Sequence, residues 1–89
     1  MTLTELERNL YASVREQDPS TLQSVTENLR GRLFKLDRWF DMFLDKFSSK
    51  LDEVDRNDPI KKMYNTKFDE YSKTKQLIVV AESYMKKNV

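Results

Sequence analysis

Between residues 22 and 54 the apolar positions keep a strict helical interval. Leu22, Val25, Leu29, Leu33, Leu36, Phe40, Phe43, Phe47, Leu51 and Val54 follow one another at spacings of three or four residues. At 100° per residue they fall within an arc of about 80°, one narrow stripe on one side of a helix. Two Asp-Pro pairs, Asp18-Pro19 and Asp58-Pro59, divide the chain. In each pair the Asp is placed to accept free amide hydrogens at a helix start. The Pro takes the first helical position, where its missing N–H costs nothing. Proline also drives the preceding residue out of helical geometry, so each pair closes one helix and opens the next. The pattern predicts three helices, over about 3–16, 19–56 and 59–87.

The first of these has capping-box spacing at Thr2 and Glu5 and an apolar face of Leu3, Leu6, Leu10 and Val14, with Tyr11 beside it. The second would be about 57 Å long. Gly31 inside it costs about 1 kcal/mol relative to Ala; it either permits a close helix crossing or, more simply, sits at the surface. In the third, Tyr64, Tyr71, Ile78 and Met85 repeat every seven residues, with Ile60, Phe68 and Ala81 alongside. Its run Leu77–Val80 points in nearly every direction, which implies burial on more than one side. A short Arg56-Asn57 connection makes the two long helices antiparallel, with position i facing about 114 − i. Phe47 is then expected near Phe68, Phe43 near Tyr71, Leu36 near Ile78 and Leu29 near Met85. The first helix covers only about 21 Å, so Leu77, Val80 and Tyr84 are expected to receive it. The expected architecture is all-α, a single domain over residues 1–89. It is an antiparallel hairpin of two long helices with a short N-terminal helix on one end, a three-helix bundle there and two helices beyond.

Chemistry, if any, belongs at the two-helix end. The segment RWFDMFLDKF gathers Trp39, Phe40, Met42, Phe43, Leu44 and Phe47. Phe40, Phe43 and Phe47 are on the stripe, whereas Trp39 and Leu44 flank it on opposite sides and Met42 lies about 100° away. Such flanks stay wet unless a second chain covers them, and Trp and Met are favoured interface anchors. The other reading is that Trp39 and Leu44 simply widen the intramolecular seam. Phe34 lies opposite the stripe among Arg38, Asp41 and Asp45; it is either an isolated exposed apolar residue or, with Met42, a second contact patch. Asp37, Asp41, Asp45 and Asp52 share an outer face that reads as solvated or as a docking strip for a basic partner. A metal or acid–base site there would need ligands converging from other helices.

Composition narrows the function classes. The 89 residues contain no Cys and no His, and charged residues make up 35% against 38% apolar. Without histidine, cysteine, a Gly-rich phosphate loop or a nucleophile elbow, the sequence argues against an enzyme, a cofactor, a metal or a small-molecule ligand. Net charge is +1, yet residues 59–89 carry seven basic and three acidic side chains. Lys61, Lys62, Lys67, Lys73 and Lys75 spread around the helix axis and form no continuous phosphate-binding stripe, so nucleic-acid binding is the weakest reading. No run is apolar enough for a membrane span. The start MTLTELERNL is acidic and amphipathic rather than a signal peptide, which makes the cytoplasm the default location, with signal-less export left open.

Thr2-Leu3-Thr4, Leu6-Glu7, Leu10 and Ser13 resemble the start of the small helical chaperones that hold needle subunits in bacterial type III secretion systems. The Asp58-Pro59 turn, Asn65-Thr66 and the apolar last helix are similar in outline to the same family. The two stretches cover roughly half the chain, which is longer in its middle by roughly four turns, including RWFDMF. The resemblance implies an apolar hairpin face that engages a partner chaperone or needle subunit. From the residues themselves the expected function is a non-catalytic protein-interaction module, a chaperone or adaptor for a helical partner. A self-assembling or exported structural subunit and a phage-type or regulatory inhibitor are the alternatives. The candidate interface is Phe34, Trp39, Phe40, Met42, Phe43, Leu44 and Phe47.

Overall fold

The computed structural model describes residues 2–87, which form three helices: α1 (Leu3–Arg15), α2 (Pro19–Leu51) and α3 (Pro59–Lys87). Each start is capped as its sequence dictates. The Thr2 hydroxyl accepts the Glu5 N–H at 3.2 Å. Asp18 accepts the Thr21 N–H at 3.1 Å and the Thr21 hydroxyl at 2.6 Å. Those two donors hold the Asp18 carboxyl below the usual aspartate range. Asp58 accepts the Ile60 N–H at 2.9 Å. Between α1 and α2 the chain reverses with no linker to spare. Gln17 adopts φ 54°, the Asp18 N–H bonds the Ser13 carbonyl at 2.9 Å, and the Gln17 N–H bonds that of Val14 at 3.3 Å. This is a Schellman stop with glutamine in the left-handed position that glycine prefers.

All three helices contribute to one core. Leu6 and Leu10 of α1 meet Leu22, Val25 and Leu29 of α2 and Leu77, Ile78 and Ala81 of α3, with Leu3, Val14, Leu33, Val80, Tyr84 and Met85 packed around them. The first half of the α2 stripe is thus covered by α1 and α3, and α1 is received where the third helix was expected to receive it. Ser13, Thr26 and Thr74 are buried too. Each hydroxyl donates to a carbonyl of its own helix, at 2.7 to 2.8 Å, so these residues pack as small apolar groups. Arg30–Glu82 at 2.9 Å and Arg32–Glu70 at 2.8 Å join α2 to α3. Lys73 joins α3 to α1 through a buried oxygen of Glu7 at 2.6 Å, and that carboxylate holds the Lys73 ammonium above the usual lysine range. Partly exposed pairs of this kind add little, so apolar burial carries the fold.

Three expectations need correction. The second helix ends at Leu51 rather than near 56. Asp52, Glu53 and Asp55 would crowd the negative end of its dipole, and Asp and Asn are poor helix formers. Instead the Lys50 carbonyl accepts from both Glu53 and Val54 at 3.1 Å, and residues 52–58 form the hairpin turn. Unwinding these residues displaces the pairing of the long helices towards the tip. Phe43 meets Tyr64 rather than Tyr71, and Phe40 lies against Tyr64 and Tyr71. Finally, the apolar run of α3 is not buried all round: Leu77 and Ile78 are inside, but Val79 is 67% exposed on the side α1 does not reach. The radius of gyration is 16.0 Å, against about 12 Å for a compact chain of this length. That excess reflects a two-helix end with no third layer.

Candidate docking site

Beyond the reach of α1 the seam between α2 and α3 is aromatic. Trp39 stacks on Phe43 at 4.7 Å and meets Phe40 edge-on at 5.1 Å. Phe40 turns its edge to Tyr64 at 5.6 Å and to Tyr71 at 5.5 Å. Phe43 tilts against Phe47 at 5.1 Å and against Tyr64 at 5.8 Å, and Tyr64 stacks on Phe68 at 6.2 Å. Such pairs contribute about 0.5–1.5 kcal/mol each beyond their area. The three that cross the seam, Phe40–Tyr64, Phe40–Tyr71 and Phe43–Tyr64, hold the long helices together where α1 is missing.

Two helices cannot enclose what three would. Of the candidate interface residues only Phe43 is buried; Trp39, Phe40 and Phe47 are half-covered by their own chain. Leu44 is 38% exposed, Phe34 61% and Met42 65%. The candidate set therefore splits into a platform of Trp39, Phe40, Phe43 and Phe47 and three outward-facing side chains. Sequence spacing missed two residues of α3 that join them, Met63 and Phe68, both nearly half exposed. Phe68 was expected inside the seam beside Phe47; the displaced pairing brings it to the rim instead.

A groove runs along each flank of the seam. The larger, about 590 Å³, lies between the start of α1 and Trp39 and is bordered by Gly31, Arg32, Lys35, Lys67 and Glu70. Three of its five charged residues engage each other, Glu27 and Lys35 standing outside the network: Glu70 pairs with Arg32 at 2.8 Å and with Lys67 at 3.8 Å, and the Lys67 ammonium sits 5.7 Å over the Trp39 ring. The smaller groove, about 180 Å³, is on the Leu44 side. α2 supplies Asp37, Phe40, Asp41 and Leu44, an i, i+3, i+4, i+7 set, and α3 supplies Tyr64, Phe68 and Tyr71.

Asp37, Asp41 and Asp45 stay exposed along α2, whereas Asp52 falls at the cap beyond its last turn. The lysines of α3 serve separate surfaces: Lys67 covers Trp39, Lys73 pairs with Glu7, and Lys75 lies 5.2 Å over Tyr71. Among the described residues no group of acidic side chains is placed to hold a metal ion. No described helix is long and apolar enough to cross a membrane. Comparison of the chain with family models, with curated proteins and with solved structures finds no match.

Proposed function

We propose that the chain is a non-catalytic protein-interaction module, a small chaperone or adaptor that binds a helical partner at its two-helix end. The observation that supports this reading is the unequal finish of the two ends. One end seals its apolar stripe with a third helix. The other leaves Leu44, Met63 and Phe68 facing water beside an aromatic platform, with Phe34 and Met42 exposed on the outer side of α2. A helix from another protein would complete the missing layer, burying its own apolar stripe in the same act. A needle subunit, the partner that the resemblance of the chain's opening and turn implies, has the required helical form.

The test is copurification from the native host followed by mass spectrometry, with the native chain and with Met42→Ser combined with Leu44→Ser. Both positions are exposed, so circular dichroism should show unchanged helicity while the partner is lost. Full retention of the partner would move the interface elsewhere. Light scattering of the purified chain covers the alternative: mass that grows with concentration, and stops growing in the double variant, would identify a self-assembling subunit.

A further inference from the structure

The two grooves differ in their electrostatics, and the smaller one points to a partner of defined chemistry. In the larger groove Arg32, Lys67 and Glu70 pair, and the two charges left over, Glu27 and Lys35, are of opposite sign. In the smaller groove the only charged lining residues are Asp37 and Asp41, and among the described residues neither takes part in an ion pair. Asp45 continues the acidic row one turn towards the tip. Below the carboxylates lies an aromatic floor of Phe40, Tyr64 and Tyr71, with Leu44 and Phe68 as an apolar rim. Aromatic faces attract cations, most strongly where desolvated, and carboxylates beside them add to that field. The chain itself shows the preference, since the Lys75 ammonium rests 5.2 Å over Tyr71 at one end of the groove. Among the described residues it is the one basic side chain seen on these rings. A volume of about 180 Å³ is below that of a small-molecule site but has room for a long side chain.

Building on the interaction reading above, we infer that this groove receives an arginine- or lysine-bearing amphipathic helix of a partner protein. The partner's apolar stripe lies on Leu44 and Phe68. A cationic side chain on the edge of that stripe enters between the aromatic floor and the carboxylates of Asp37 and Asp41. A neutral or acidic helix would leave both carboxylates partly desolvated and unpaired, so the groove discriminates by charge as well as shape.

The probe is a short synthetic amphipathic helix with a leucine stripe flanked by arginines, compared with the same peptide carrying glutamates instead. Fluorescence anisotropy at low and high salt measures binding, and NMR shifts of the labelled protein locate it. The arginine peptide should perturb Leu44, Phe68 and Tyr71 and should bind at least about tenfold more tightly than the glutamate peptide. Asp37→Asn with Asp41→Asn should weaken it by about tenfold and flatten its salt dependence, whereas Lys75→Gln should strengthen it about threefold. Equal binding of the two peptides, no binding of the arginine peptide at millimolar concentration, or shifts confined to the Trp39 groove would overturn the inference. The two readings fail separately. If the double Asn variant keeps its host partner at full affinity while Met42→Ser with Leu44→Ser loses it, the interaction module stands and the cationic groove does not.

Discussion

Replacing Gly31 with Ala isolates one energetic term and then asks a functional question of it. Gly31 lies inside α2 with ordinary helical backbone, and a methyl built on it meets nothing within 4 Å. No turn or close helix approach therefore requires glycine here. The substitution removes the glycine's excess unfolded-state entropy without adding a clash, which should stabilise the fold by about 0.5–1 kcal/mol. For a domain of this size that is a rise in melting temperature of roughly 2–8 °C. Thermal and urea unfolding followed at 222 nm would measure it, with the urea slope unchanged if only stability has moved. A lower melting temperature, or none gained, would refute the packing argument. The same residue borders the groove of about 590 Å³ beside Trp39. A chain that melts higher yet binds its partner less well would show that this groove, not the acidic one, is the point of contact.

Gln17→Gly should stabilise by about 0.5–1 kcal/mol, because glycine accepts the left-handed φ of 54° without the side-chain penalty; urea titration decides it. Leu29→Ala, at a fully buried position, should cost about 2–5 kcal/mol, whereas Leu44→Ala on the open rim should cost about 1 kcal/mol or less; equal losses would mean that the two ends share one core. Asp18 titrates below the usual aspartate range because the Thr21 hydroxyl and N–H bind its ionised form. Its contribution is therefore present above the unfolded-state value and is lost as the pH falls through the lower folded-state value. The urea midpoint should accordingly drop more steeply as the pH falls below about 4 in the native chain than in Asp18→Asn. Parallel curves would remove the cap from the acid response.

What the sequence made legible follows from how local each cause is. The helix starts at Thr2, Asp18 and Asp58 depend on a few neighbouring residues, and they occur where spacing places them. The stripe likewise identifies the buried side of α2, because a period of 3.6 survives any choice of partner. Thr26 and Thr74 escaped the apolar pattern although they sit within its spacing, at Leu22 plus four and Ile78 minus four. Their hydroxyls are satisfied inside their own helices, so polarity misstates how they pack. The α2 half of the proposed docking surface follows from the same helical period as the stripe. Its α3 half was not, because which α3 residues lie opposite Phe40 and Leu44 depends on where α2 stops.

That stop connects the turn to the groove. Leu51 and Val54 continue the apolar rhythm, and on hydrophobicity alone the helix would run through them. Acidic residues at 52, 53 and 55 oppose the helix dipole by about 0.3–1 kcal/mol each, and the chain turns early. Had α2 continued to residue 56, the expected pairing would set Phe40 opposite Thr74 and Leu44 opposite Glu70, a mixed and partly charged contact. With residues 52–58 unwound, Phe40 falls between Tyr64 and Tyr71, and Leu44 shares its groove with Phe68. The aromatic floor beneath Asp37 and Asp41 is thus a product of the loop's charge as much as of the aromatic residues themselves. A surface substitution in that loop can alter the proposed docking face without touching it, through the register of the helices it joins.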